Sequence, residues 1–171
     1  GQVPGPLVAV PAGQPVTVVL HNALDAATAL NFPGQQLPPD RVGAAPGGTA
    51  TYSFTPTAAG TYLYEAGLVP NTEHQLGMGL YGALVVRPAA ANQANDDPAS
   101  AFDDEAVVVL SEVDPALNTS LNPATFDLRG FSPRYWLING QAYPQTTTIP
   151  TDAGRKVLLR YVNAGSRYHS M

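Results

Sequence analysis

Metal coordination is the chemistry that the polar side chains of this chain could most readily support. Three histidines, His21, His74 and His169, are its imidazole donors. The segment "GTYLYEAG" places Glu65 and Gly67 two residues apart near the end of a strand, so both project to one face. That spacing would suit two metal-binding histidines, yet neither residue is one. His74 lies in "PNTEHQLGMG" beside Met78. Glu65, His74 and Met78 would make a carboxylate–imidazole–thioether set, and these three residues, His74 above all, are one candidate metal group. The ordinary reading is loop packing, with Glu65 bonded to Arg41 or to backbone amides. His21, on "VVLHN", reads as an ordinary strand histidine. His169 closes the chain in "NAGSRYHSM" and is the second candidate metal ligand.

Other chemistries find little support. Cysteine is absent, which removes disulfides, thiol nucleophiles and thiolate ligands from this chain. No nucleophile elbow, phosphate loop or helical zinc motif occurs. Asp96-Asp97 and Asp103-Asp104-Glu105 lack calcium-loop spacing and read as a solvated spacer. Asn118-Thr119-Ser120 matches a glycosylation acceptor, a pattern short enough to arise by chance. With net charge −5 and Lys156 the sole lysine, the chain has no basic patch for nucleic acid or an anionic membrane. No apolar run reaches membrane-spanning length. No signal peptide opens the sequence, and "GQVPGPLVAV" reads as the interior of a domain whose first strand is missing.

The elements that must position these residues are strands. Charged residues are 12% of the 171, against 16 Gly and 17 Pro. Frequent Val, Thr and Tyr among turn formers favour an all-β chain. Alternating runs predict strands at Leu7–Val10, Val16–Asn22, Ala29–Phe32, Thr49–Thr55, Gly60–Ala66 and Leu80–Arg87. Residues 89–104, rich in Ala, Asn, Asp and Pro, read as a linker between a first domain, 1–88, and an incomplete second, 105–171. In the second, strands are expected at Glu105–Glu112, Tyr135–Ile138 and Lys156–Asn163. Short helical pieces are expected near Asp114–Leu117 or Pro70–Leu76. Trp136 is expected to anchor the second domain or the contact between the two.

"AGQPVTVVLHN" from Ala12 is echoed by "AGRKVLLRYVN" from Ala153, which suggests two related domains. A second sheet ending so early would keep an open edge and an uncovered face, needing the remainder of its polypeptide or the first domain to cover it.

Together, "GQVPGPLVAVPAGQPVTVVLHNAL", "GTYLYEAG", "GMGLYGALVVRP" and "WLINGQAYP…VLLRYVNAGSRYHS" resemble the multicopper oxidases, which are built from cupredoxin domains. The resemblance implies Greek-key β-sandwiches, copper as cofactor and export to the periplasm, cell surface or medium. It also implies one-electron oxidation of a substrate at a type 1 copper, coupled to dioxygen reduction at a three-copper cluster. Residue by residue, Asn31 and Pro33 stand where the family's first pair of cluster histidines would be, with Gly34 retained. Glu65 and Gly67 stand in place of the second pair. His169 falls near the histidine that opens the copper-binding run after the "VNAG" turn in copper-bearing domains, whereas in the middle domain of three-domain members the resemblance implies a stretch that binds no copper. The resemblance therefore implies a family framework with no complete copper site in this chain. The expected partners are the rest of the polypeptide or a neighbouring subunit, with a homo-oligomer as one arrangement. The alternative is a copper-free cupredoxin scaffold serving as an envelope binding or structural module.

Overall fold

A computed structural model of the chain describes residues 2–170. Ten strands and two short helices form it: β1 (Val8–Pro11), β2 (Val16–His21), β3 (Leu30–Asn31), β4 (Thr49–Phe54), β5 (Gly60–Ala66), α1 (Thr72–Gly77), β6 (Tyr81–Arg87), β7 (Asp104–Val113), α2 (Pro115–Asn118), β8 (Tyr135–Ile138), β9 (Gln141–Ala142) and β10 (Val157–Asn163). Sheets run β1-β6-β5-β3, β2-β4 and β10-β7-β8-β9. The pairs β1·β6 and β10·β7 are parallel and the other strand pairs antiparallel. The architecture is the expected all-β, cupredoxin-like sandwich.

Alternation on β5 shows how it assembles. Tyr62 and Tyr64 point into the core between the first two sheets, with Phe32, Tyr52, Phe54, Leu84 and Val86. Leu63 points the other way, toward a second cluster of Tyr81, Ala83, Val109 and Val162. The β1-β6-β5-β3 sheet is therefore covered on both faces, by β2-β4 and by the C-terminal sheet. That explains the nearly continuous burial of β6, whose "GALVV" has no polar face. The tyrosine hydroxyls tie down loops: Tyr64 donates to Pro6 O at 2.7 Å and Tyr62 to Ala58 O at 2.9 Å.

Strand ends shift by a residue or two from expectation, and β9 was not foreseen. Asn139 and Gly140 make the two-residue turn between β8 and β9, with φ of 50° and 78°, the signature of a tight hairpin. Both expected helical pieces form. Residues 89–104 hold a Gln93↔Ala101 bridge and a 3₁₀ turn at Pro98–Ser100. Their acids are put to use: Asp97 caps that turn through Ala99 N at 2.8 Å, and Asp104 pairs with Arg155 at 2.6 Å.

The expectation for Trp136 is corrected. Its side chain is 50% exposed and lies on the face of the C-terminal sheet turned away from the N-terminal sandwich. The contact between the two is built instead by the small and β-branched residues of the second cluster and by Arg160, which donates to Thr61 Oγ1 at 3.0 Å. Trp136 pairs with Glu112 across β7·β8, and it is its neighbour Leu137, opposite Ser111, that faces the N-terminal sandwich.

Candidate metal centre and the clamp around His169

β3 is only two residues long, and Tyr52 holds it in place. The Tyr52 hydroxyl accepts from Leu30 N and donates to Asp40 Oδ2, both at 2.9 Å. Burial pushes the phenol up to about 12. Asp40 in turn accepts from Val42 N and Gly43 N at 2.8 and 2.9 Å, so β3 is fastened to an ordered loop. This places Asn31 directly opposite Glu65 across β3·β5. Asn31 Nδ2 lies 3.5 Å from Glu65 Oε1, a long hydrogen bond. Burial raises the Glu65 carboxyl above its ordinary value of 4.5, and the Asn31 amide opposes that shift only in part. Glu65 has its partner in Asn31, not in Arg41 or a backbone amide.

The other two positions offer no donor. Pro33 is exposed in a turn closed by Gln35 N to Phe32 O at 3.1 Å. Gly67 donates its N–H to Ala29 O at 2.8 Å, and a Cβ built there would meet Ala29 Cβ at 2.6 Å and Asp40 O at 3.1 Å. The chain has closed over the spot a longer side chain would need. One amide, one carboxylate, a proline ring and a bare glycine do not fit a copper that prefers imidazole nitrogens. Among the described residues, no three His, Asp or Glu side chains gather as a metal-holding group.

The remaining candidates are scattered. His21 is exposed at the end of β2, opposite Thr49. His74 Nε2 sits 2.9 Å from Phe126 O, linking α1 to the irregular segment that precedes β8. Met78 is exposed at the end of α1. Glu65 instead lines a cleft of about 590 Å³ whose other walls include Glu73, Glu112 and Arg167.

His169 stands in a more organised setting. Glu112, late in β7, has a side chain only 2% exposed. Its carboxylate accepts from Ser166 N and Arg167 N, each at 3.0 Å. Asn163 clamps the same turn, accepting from Gly165 N at 3.0 Å and donating to Arg167 O at 2.9 Å. His169 Nε2 is buried, 3.8 Å from Glu112 Oε1, and finds no hydrogen-bond partner among the described residues. The Trp136 ring meets the imidazole edge-on, with centroids 5.7 Å apart. Glu112 went unnoticed as a site residue in the sequence. Its only signal is a carboxylate at the end of an otherwise apolar strand, "EAVVVLSE".

A sequence model described as multicopper oxidase matches residues 1–91, more than half of the chain. The chain belongs to the multicopper oxidase family. This multicopper oxidase family member is 33% identical over 120 residues to copper resistance protein A of Pseudomonas syringae pv. tomato. That match takes in 66% of this chain and 18% of that protein. Its structure is similar to the blue copper oxidase of Nitrosomonas europaea, with TM-score 0.82 and 26% identity over 96% of this chain and 53% of that one. It is also similar to the copper nitrite reductase of Nitrosomonas europaea, with TM-score 0.78 and 25% identity over 98% of this chain and 59% of that one. The family member thus spans about a fifth of the curated relative and a little over half of these two structures.

Proposed function

We propose that this chain is part of a multicopper-oxidase-like oxidoreductase, in which the cluster corner of the N-terminal sandwich holds no copper and His169 is the first copper ligand the chain supplies. The observation that carries the reading is the corner itself. Asn31 and Glu65 face one another, Pro33 is turned into solvent, and Gly67 is packed too tightly to be replaced by a donor. Membership of the family supports copper-dependent electron transfer to dioxygen as the activity of the whole protein. Bound copper would supply the one-electron chemistry. The residues of this chain would provide one imidazole and the framework around it. An exported location fits the same family reading. The apolar face left open on the C-terminal sheet fits coverage by the remainder of the polypeptide or by a neighbouring subunit.

Copper analysis of the intact protein tests this. Copper should be retained by Glu65→Gln and Asn31→Ala, and diminished by His169→Ala. Loss of copper in Glu65→Gln would show that the corner is a working site after all. The replaced corner also favours a second reading, a copper-free scaffold that binds a protein or glycan. It predicts that the intact protein, loaded with Cu(II) and dialysed, retains none and consumes no dioxygen.

A further inference from the structure

Glu112 is a carboxylate taken almost wholly out of water with no arginine or lysine paired to it. Burying such a charge is costly. Two backbone amides offset part of that cost. Each oxygen takes one of them, Oε2 from Ser166 N and Oε1 from Arg167 N, a pairing that the single acceptor oxygen of a glutamine would not reproduce. A further group stands beside Oε1. His169 Nε2 is buried, has no hydrogen-bond partner among the described residues and lies 3.8 Å from the carboxylate. The packing is close enough that a Cβ on Gly165 would stand 2.4 Å from Glu112 Cδ, so no larger residue fits between turn and carboxylate.

We infer that Glu112 is the positioning residue for His169: it fixes the turn and selects the tautomer with the proton on Nε2, leaving the Nδ1 lone pair for an outside cation. The electrostatics run one way. An unprotonated Nε2 would aim its lone pair at a carboxylate, which is repulsive. A protonated Nε2 aims a positive hydrogen at it. In neutral imidazole the other nitrogen must then be the acceptor. The edge-on Trp136 ring and the clamped turn limit rotation of the imidazole, so the choice of nitrogen is also a choice of direction. A carboxylate behind the imidazole holds its orientation.

The inference rests on reading His169 as a copper ligand, but its first test does not. Nitrogen NMR of the intact, metal-free protein should show His169 with Nε2 protonated. Glu112→Gln should move it toward a mixture of tautomers, and Glu112→Asp should restore part of the bias. A wild-type His169 with its proton on Nδ1 overturns the inference, whether or not any variant folds. Titration with Cu(II) is the second readout: Glu112→Gln should weaken binding about 10- to 100-fold, and Arg129→Ala, on an exposed ion pair, should not. An unchanged tautomer and unchanged Cu(II) affinity in Glu112→Gln would sink the positioning role. If His169→Ala leaves Cu(II) affinity intact, it is the ligand reading that fails, and the tautomer result still judges Glu112.

Discussion

Glu65 holds its charge at a cost, because strand pairing has taken it partly out of water and given it only a long bond to Asn31. Its pKa in the folded chain is raised, so over the interval above 4.5 the native state keeps a proton that the unfolded state has released. Stability therefore falls as pH rises through that interval. Glu65→Gln should flatten this part of the pH–stability curve and raise the melting temperature at neutral pH, as read by thermal denaturation at several pH values. A metal-binding role for Glu65 would give the opposite result in the presence of metal, since the neutral amide would forfeit the ligand. Asn31→Ala should raise the Glu65 pKa further, measured by carbon NMR titration, because the amide is what opposes the shift. None of this could be read from "YEAG" alone. The identity of Glu65 was plain, but its partner depends on a register between strands 34 residues apart in sequence.

At the scale of elements, two close fits hold the strands that matter. Gly67 lies against Ala29 and the Asp40 carbonyl. Gly67→Ala should cost about 1–3 kcal/mol by overpacking, seen as a lower urea midpoint with unchanged slope. Gly67→His should do worse and gain no copper affinity, which distinguishes a closed corner from one merely lacking its imidazole. Asn139, in the β8–β9 turn, accepts from Val109 N at 2.8 Å and donates to Val107 O at 2.9 Å. Its side chain thus serves β7 as a substitute strand partner. Asn139→Ala should cost about 2 kcal/mol from lost bonds and a positive φ, with faster amide exchange at Val109. The strands themselves were legible from alternation and turn residues. β9 was not, because two residues carry no period and a hairpin turn becomes visible only once its strands pair.

For the whole molecule, the decisive contacts join parts distant in sequence. Glu105 bridges Arg87 and Arg160 at 2.5 and 2.7 Å, and Arg160 is only 3% exposed. Burial pushes the Glu105 carboxyl up, but the bonds and charges of the two guanidiniums overcome it and hold the carboxyl below 4.5. The stabilisation is present above the unfolded value and is lost as pH falls through the lowered one. Glu105→Gln leaves Arg160 charged in a buried site and should cost about 3 kcal/mol, read by denaturant unfolding at pH 7. The difference from wild type should shrink as the solution is acidified. On the far side of the C-terminal sheet, Trp136, Ile138, Leu159 and Tyr161 are all exposed. An apolar face of that kind favours association. The 171-residue segment on its own should therefore self-associate with rising concentration in light scattering, and Tyr161→Lys with Leu159→Glu should suppress it.

The sequence by itself determined the strand-rich class, the family framework and the identities of Asn31, Pro33, Glu65 and Gly67. These follow from composition, alternation and motif order, all local in the chain. Only the tertiary structure decided that Asn31 meets Glu65, that Gly67 has no room to spare, that Trp136 sits outside the domain contact and that Glu112 lies behind His169. Each of these depends on which strands pair and which faces stack. Such pairings are set by packing energies summed over distant residues and leave no mark at any single position.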